Sequence, residues 1–591
     1  MNNNEQLSNK RHSLAHLLAS AVLEQFPDTK LGIGPVIDNG FYYDFVFSKP
    51  LSPEDLSKLE KRMQQLAKSN LGFERQEKTA EEAKEFYSST ASASDNSNQT
   101  FKLELIDELD KAGDQITLYQ TGEFVDLCRG GHVENTSEID ADSFKLDKLA
   151  GAYWRGDEKN PMMTRIYGLA FDTKAELDEY LNMREEALKR DHKKLGPELD
   201  LFVFSDLVGA GLPLWTPKGT LVRNMLDDYV WSLRKVKGYQ KVEIPHITKK
   251  GLYEKSGHWD KFKDELFRIT TREGHEFAMK PMNCPHHTQI FNRKRWSYRD
   301  LPQRYCNTTV CYRDEQSGEL AGLSRVRAFA QDDAHVFTRL DGAKEEFLKV
   351  WEVVETFYKT FNFDLKVRLS LRDPANPDSY LGEPEQWEKA QDLLREIAKE
   401  KNIETYEGLG EAAFYGPKLD FMSKDSLGRE WQVATIQFDF NMPERFDLFC
   451  INESGEQERI VMIHAAIMGS IERFLSVLIE HTAGNFPTWL APVQAVIVPI
   501  SEKQNDYAQK VLQELTEAIP DLRIEIDDRS ESMGKRIREH VTQRVPYILV
   551  VGDKEIEAGG VAVRGRGEVD LGTIKVEEFK SKLSEEIETK Q

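Results

Sequence analysis

The sequence predicts a multidomain α+β protein: a mixed helix-and-strand region first, a large central region, and a small α/β domain at the C-terminus. Three observations lead there. At 591 residues the chain exceeds what one hydrophobic core organises. A charge-rich helical stretch over 174–194, stopped by Gly196-Pro197, divides the first region from the second. Beyond Trp489-Leu490-Ala491-Pro492, strand-type and helix-type segments alternate, the pattern of an α/β layer with a mostly parallel sheet.

Taken in order, residues 1–173 form the first domain, interrupted by the polar run 88–95, which reads as a loop. Residues 174–197 are a linker helix with Leu177, Tyr180, Leu181 and Leu188 on one stripe. Residues 198–490 hold most of the Trp, Cys and His among alternating strands and helices. Residues 491–591 predict strands at 493–498, 523–526 and 547–551, with helices at 504–518 and 535–544 between them.

Composition bounds the class. Charged residues are 30% and apolar residues 39%, the balance of a globular chain rather than a disordered one. The N-terminus has no apolar signal segment, and no run of about 18 apolar residues is present to span a membrane. Cys128, Cys284, Cys306, Cys311 and Cys450 are odd in number and scattered, which points to a reducing cytoplasm without a disulfide framework. The net charge of −22 is a whole-chain sum and does not exclude a nucleic-acid partner. The run 292–299 sets Arg293, Lys294, Arg295 and Arg299 around Trp296 and Tyr298. It reads equally as a solvated helix face or as a surface that tracks phosphates.

Chemistry concentrates in the centre. Arg313-Asp314-Glu315 follows a strand-like run at 306–312. An Arg and a Glu two residues apart on one strand face can hold a phosphate and a base side by side. Ser324-Arg325-Val326-Arg327-Ala328-Phe329 comes after a polar loop, and far downstream Gly469-Ser470-Ile471-Glu472-Arg473-Phe474 leads from a glycine turn into an apolar helix. Either fragment alone reads as a structural ion pair. In this order, with Lys241-Val242-Glu243-Ile244-Pro245 before them, they resemble the three signature motifs of the class II aminoacyl-tRNA synthetases. That resemblance implies an antiparallel-sheet catalytic domain whose first-motif proline marks a dimer interface.

Within that class the chain resembles the threonyl-tRNA synthetases along nearly its whole length. Cys284, His335 and His464 fall where that family carries its zinc ligands, and a thiolate with two imidazoles leaves a fourth position open for substrate. His286 and His287, beside Cys284, are expected to be bystanders. Zinc answers a discrimination problem. An apolar pocket separates threonine from isosteric valine only about 100-fold, whereas a metal that takes the amino and hydroxyl groups together rejects valine. The resemblance gives Asp333 the threonine hydroxyl and makes Tyr415 a wall of the threonine pocket. It gives Arg313 the α-phosphate and Arg473 the γ-phosphate end of ATP, which carries Mg2+, and stacks the Arg473 guanidinium on adenine against Phe329. Met282, Glu315, Arg325, Gln331, Gln432, Gln437 and Ser470 become further ATP or adenylate contacts, and His258 matches the family's proton acceptor in the transfer to tRNA.

Serine keeps the chelating pair and lacks one methyl, worth roughly 1–3 kcal/mol, so a second site has to remove the error. His12 and His16 are four apart on a helix whose other face carries Leu14, Leu18 and Val22; Cys128 and His132 flank a glycine turn. By spacing alone these four read as a metal site. The resemblance makes them instead the pocket that hydrolyses seryl-tRNA in the bacterial enzymes, with the segment 34–45, Lys102 and Asp126 in the same domain. The C-terminal domain resembles the anticodon-binding domain of several class II enzymes, with Glu555 and Arg564 as base contacts.

The resemblance therefore implies a cytoplasmic homodimer that charges tRNA(Thr) with L-threonine using ATP, holding one zinc per subunit. A prolyl- or seryl-specific relative would not carry the Cys284/His335/His464 set, and a non-catalytic relative would lose a motif arginine. Two departures stand out. The family usually opens with a small ubiquitin-like domain, whereas this chain begins at the His12 helix; and the family commonly has Arg after the last zinc histidine, where this chain has Ala465.

Overall fold

The computed structural model describes residues 3–88, 99–425, 428–567 and 569–590. The chain forms two compact units, Met1–Glu185 and Glu186–Gln591.

The first unit is built on α1 (Asn3–Gln25). Over residues 13–23 this helix is buried on every side, so the apolar face expected from Leu14, Leu18 and Val22 widens to the whole circumference. Ala15, Ala19 and Ala21 have no side chain long enough to keep neighbours away. After β1 (Gly40–Val46) and α2 (Thr100–Ala112) come β2 (Ile116–Thr121), β3 (Phe124–Leu127), β4 (Phe144–Tyr153) and β5 (Met162–Ala170). β1, β5 and β4 pair antiparallel in that order, and β2 and β3 form a separate sheet with the strand Glu74–Lys78. Gly130 and Gly131 then take φ of 101° and 86°, a left-handed turn that brings His132 back beside Cys128. Of the loop expected at 88–95, residues 89–95 lie outside the described residues.

The single helix expected over 174–194 is two. α3 (Lys174–Arg190), which contains the boundary between the units, ends before Asp191, whose carboxylate accepts from the Lys193 amide at 2.8 Å and caps α4 (His192–Glu198). Gly196-Pro197 lie inside α4 rather than after it. Gly196 packs against Phe202 so closely that a Cβ would come within 2.1 Å of the ring. Of the four stripe residues only Leu177 is buried, and Leu188 is 71% exposed.

The second unit is organised by an eight-stranded sheet. In chain order it contains α5 (Pro217–Lys235), β6 (Gln240–Lys241), α6 (Cys284–Phe291), β7 (Gln303–Tyr312) and β8 (Ala328–Thr338). Then come β9 (Leu365–Leu371), β10 (Thr405–Leu409), β11 (Lys418–Lys424), β12 (Glu430–Asp439), β13 (Val461–Ala466) and α7 (Ile471–Thr482). The strand order is β6-β7-β8-β13-β12-β11-β9-β10, antiparallel except for the two edge pairs. One face packs on helices through Val336, Trp351, Phe357 and Phe474. Strand alternation then puts Asp332 and Ala334 on that packed face and Asp333 and His335 on the opposite one.

Local details depart from expectation. The strand read at 241–245 is only Gln240–Lys241; Val242 still donates to the Cys306 carbonyl at 3.0 Å, but its own carbonyl is taken by the Asn307 side chain, and Pro245 has no N–H to continue a ladder. Arg313-Asp314-Glu315 stands past the end of β7 in a loop, not on a strand face; the Arg313 amide is held by the Arg327 carbonyl at 2.9 Å. The basic run 292–299 is not a helix face, because α6 stops at Phe291. Lys294 stands over the Trp296 ring at 3.9 Å on the surface.

The C-terminal part has its own core around Ile497, Leu549, Val563 and Phe579. Its elements are β14 (Ala495–Pro499), α8 (Asn505–Ala518), β15 (Ile524–Ile526), α9 (Met533–Thr542), β16 (Tyr547–Val551), α10 (Asp553–Ala558), β17 (Gly560–Gly565) and β18 (Asp570–Lys575). In the order β15-β14-β16-β17-β18 the first three strands are parallel and the last two antiparallel, so the sheet is evenly mixed rather than mostly parallel. The link through α10 is shorter than the dozen or so residues a parallel crossover needs.

Candidate active site

Three neighbouring strands set the centre. His335 on β8 and His464 on β13 are register partners, and Gln437 on β12 pairs His464 from the other side. Nε2 of His335 and Nδ1 of His464 lie 3.0 Å apart. Cys284, the first residue of α6, completes a group in which one donor atom from each lies within 4.8 Å of the others. The remaining ring nitrogens are committed elsewhere: Nε2 of His464 meets Oδ2 of Asp439 at 2.8 Å, and Nδ1 of His335 meets Nδ1 of His287 at 2.7 Å. Both imidazoles can thus turn a lone pair toward one point, as a tetrahedral metal site with an open position requires.

Burial drives the His335 pKa well below the usual imidazole range, into the neutral form a metal needs. Burial also holds the Cys284 thiol well above its usual value, so a cation would have to displace its proton. His286 and His287 lie outside the donor group, as expected, but His287 meets Nδ1 of His335. His286 has neither ring nitrogen bonded among the described residues.

Asp333 lies on the same face of β8, with Oδ1 3.7 Å from Nε2 of His335. Its Oδ2 accepts from the Asn283 amide at 3.1 Å, and Asn283 is itself oriented by Lys280 Nζ, which donates to its carbonyl oxygen at 3.1 Å. Burial lifts the Asp333 carboxyl to about 6, against the opposing pull of His464 and Asn283. Tyr415 stacks on His464 at 4.9 Å and donates to the Gln437 side chain. His258 is fully buried, 2.9 Å from Ser256 Oγ and 3.8 Å from Cys284 Sγ, and burial lowers its pKa to about 3.

A cavity of about 280 Å³ opens beside this centre. Arg313, Arg473, Met282, Glu315, Arg325, Phe329, Gln331, Gln432, Gln437 and Ser470 all line it. These are all the residues expected at ATP or adenylate; Asp333 and Tyr415, expected at threonine, stand at the histidine centre. Thr435 and Met468 line it too and carried no sequence signal.

Arg313 packs between Phe262 and Phe329, 5.4 and 5.2 Å from the ring centres, and its buried Nε has no partner among the described residues. Ser470 caps α7 by accepting from the Arg473 amide at 3.1 Å, and Arg473 Nε donates to the Ser324 carbonyl at 3.1 Å. Burial, then Arg313 and Arg325, lower the Arg473 pKa. Among the described residues Arg325 is the one of the three in an ion pair, donating to Glu315 at 2.8 Å. The result is a concentration of positive charge suited to a polyphosphate.

In the first unit α1 and the glycine turn bring His12, His16, Cys128 and His132 together, one donor atom from each within 4.8 Å. Cys128 Sγ lies 3.4 Å from His12 Nε2 and 3.2 Å from His132 Nε2. Ser13, which sequence reading passed over, lies 3.3 Å from His132 Nδ1. Burial pushes the Cys128 thiol up to about 12 and the His132 imidazole down to about 2. Lys102 and Asp126 form a buried ion pair at 2.5 Å, with the Tyr43 hydroxyl donating to Asp126 at 2.5 Å.

Sequence and structural relatives agree with one another. Residues 267–482 match the family profile of the tRNA synthetase class II core domain (G, H, P, S and T), 494–586 that of the anticodon binding domain, and 116–167 that of the threonyl and alanyl tRNA synthetase second additional domain. The threonine–tRNA ligase of Cytophaga hutchinsonii is 49% identical over 590 residues, covering 99% of this chain and 90% of that one. The chain belongs to the threonine–tRNA ligase family. The threonine–tRNA ligase of Oceanobacillus iheyensis is 46% identical over 100% of this chain and 90% of its own length. Among solved structures, the RNA binding domain of threonyl-tRNA synthetase from Cryptosporidium parvum is similar with a TM-score of 0.63 and 35% identity, over 67% of this chain and 98% of that one. A threonyl-tRNA synthetase structure from Aeropyrum pernix gives a TM-score of 0.60 and 31% identity over 68% and 96%.

For a member of the threonine–tRNA ligase family, Ala465 was an unexpected residue. It is buried under the sheet, 2% exposed, and its carbonyl accepts from Arg234 at 3.4 Å. Asp439 was missed as well, although period-two alternation from Gln437 places it on the site face. In the C-terminal part, Glu555 accepts from the Gly552 amide at 3.0 Å and from the Thr573 hydroxyl at 3.1 Å, whereas Arg564 stands exposed on β17.

Proposed function

We propose that the second unit activates L-threonine with ATP and transfers it to tRNA(Thr), and that the first unit removes serine from mischarged tRNA(Thr). One adjacency supports this most: the arginine-rich cavity and the Cys284/His335/His464 group share Gln437 and the same faces of β8 and β12. An amino acid held at the group would point its carboxylate into the cavity.

Cys284 Sγ, His335 Nε2 and His464 Nδ1 would hold zinc, which would supply a Lewis acid able to tell the amino and hydroxyl pair of threonine from valine, which lacks the hydroxyl. Asp333 accepts from the substrate hydroxyl. Arg313 grips the α-phosphate while a threonine carboxylate oxygen attacks phosphorus in line; the bond to the bridging oxygen breaks and pyrophosphate leaves, its charge met by Arg473 and by the Mg2+ that would accompany ATP. Arg473 holds the γ-phosphate end and Phe329 stacks on adenine, so the protein contributes positioning and charge stabilisation. In the transfer step His258 would accept the proton of the terminal ribose hydroxyl, which requires its imidazole to become more basic than its burial leaves it here.

In the first unit burial favours the thiol form of Cys128 over the thiolate and the neutral forms of His12, His16 and His132. They would orient water against the seryl ester, beside Lys102 and Asp126. Glu555 and Arg564 would meet the anticodon. The proposed domains are 1–173 for editing, 174–197 as linker, 198–490 for catalysis and 491–591 for the anticodon. Exposed Val203, Phe204, Leu207, Val208 and Leu214 offer apolar surface for a second copy in a homodimer. Five unpaired cysteines fit a cytoplasmic setting, and no helix among the described residues is long and apolar enough to cross a membrane.

A second reading has an observation behind it: the convergence of His12, His16, Cys128 and His132 would also suit a hydrolytic metal site. ATP–pyrophosphate exchange across the twenty amino acids, with metal analysis of the same sample, tests both. Exchange with threonine, weakly with serine and not with valine, at one zinc per chain, is expected. Valine competing as well as serine would overturn the zinc account, and a second metal in the first unit would favour the other reading.

A further inference from the structure

Beneath the site, on the packed face of the sheet, lies an ion pair that no step of the chemistry touches. Arg234, in the last turn of α5, is 3% exposed, and Asp332 on β8 is 0% exposed. The Arg234 guanidinium donates to Oδ1 of Asp332 and, at 3.4 Å, to the Ala465 carbonyl on β13. Oδ2 of Asp332 accepts from two consecutive amides, Ile467 and Met468, each at 3.0 Å. The Asp332 amide donates to the Gly469 carbonyl at 2.9 Å, and Gln331 bridges to Ser470.

The consequence is mechanical. The segment 467–469 leaves β13 and must present Ser470 as the cap of α7, which sets where Arg473 begins. Two of its backbone amides are satisfied by a carboxylate that is wholly buried. Burying a carboxylate is costly unless a cation lies against it. Arg234 is that cation, reaching in from a different helix. Along β8, Asp332 stands between Gln331, which lines the ATP cavity, and Asp333, beside the histidine centre, its own side chain turned to the opposite face.

We propose that Arg234 is a positioning residue for ATP: through Asp332 it holds the turn 467–469, and with it Ser470 and Arg473, in register with Gln331. The inference rests on the ATP-binding reading of that cavity. It also accounts for Ala465. Its methyl group points to the packed face beside Ala334, two residues from Asp332 on the neighbouring strand, and the charge that Asp332 needs comes from α5 instead of β13.

The test uses the full-length protein and reads KM for ATP, KM for threonine, kcat in ATP–pyrophosphate exchange, metal content and melting temperature. Arg234→Leu should raise KM for ATP roughly tenfold or more, as displaced contacts do, while KM for threonine changes less and metal content is retained. Adding Ala465→Arg to Arg234→Leu returns a guanidinium to Asp332 from the neighbouring strand and should recover most of the ATP affinity. A structural role alone would move melting temperature and both KM values together. If Arg234→Leu does not fold, Arg234→Leu with Asp332→Asn removes both buried charges and is expected to fold with the same ATP defect. Unchanged KM for ATP in a folded variant lacking Arg234, or equal loss for ATP and threonine without recovery by Ala465→Arg, would overturn the proposal. Loss of exchange with every substrate in the wild type would instead count against the functional reading itself.

Discussion

Nε2 of His464 meets Oδ2 of Asp439 at 2.8 Å, so the nitrogen that His464 turns toward His335 and Cys284 is Nδ1. A carboxylate behind a ligating imidazole fixes its tautomer and raises its basicity. Asp439 also accepts from the Asn441 and Met442 amides through Oδ1, each at 2.8 Å, which keeps the carboxylate from rotating away.

Asp439→Asn keeps that backbone acceptor and removes the charge. Zinc affinity should fall about 10–100-fold, read by competition with a chromogenic chelator. An unaltered chelator titration would show that Asp439 does not support the metal.

Cys284→Ser should lose metal and threonine-dependent exchange together, because an alcohol is a far poorer ligand than a thiolate. A variant that kept full zinc and normal exchange would rule the site out.

Arg313→Ala should lower kcat for exchange by about 10²–10³-fold, the usual cost of losing one charge-stabilising donor, and leave metal content unchanged. Of the three cavity arginines, Arg313 is the one whose Nε has no partner among the described residues. A drop of only a fewfold, confined to KM, would move it out of the transition state.

His16→Ala with Cys128→Ala should leave threonine activation intact and abolish deacylation of preformed seryl-tRNA. Equal deacylation by wild type and the double variant would remove these side chains from the reaction.

The first unit should be acid-labile in a defined direction. Burial, then His16 and His12, hold the His132 pKa at about 2 against 6.5 for a free imidazole. Below pH 6.5 the unfolded chain takes up a proton that the folded one refuses, so stability is full above 6.5 and declines as pH falls toward the folded value. Each such proton is worth up to about 1.4 kcal/mol per pH unit. Calorimetry between pH 7.5 and pH 5 should show a falling transition, with a shallower slope in His132→Gln. A flat profile would contradict buried neutral imidazoles.

The sequence by itself determined which residues could do chemistry. Arg313, Arg473, the three candidate ligands and the paired histidines of α1 are recognisable from local residue types in their order along the chain. The C-terminal alternation was legible because hydrophobic period is a local property. What tertiary structure decided depends on residues far apart in sequence. The Arg313/Glu315 juxtaposition comes from a loop anchored to Arg327, not from strand alternation. The helix break at Asp191 turns on a side-chain cap, and Gly196 is required by the Phe202 ring, not by a helix end. Asp439, His287 and Arg234 gain their roles from strands and helices separated by up to a couple of hundred residues and brought within hydrogen-bond reach. A buried charge or imidazole is defined by its partner, and the partner is chosen only when the sheet closes.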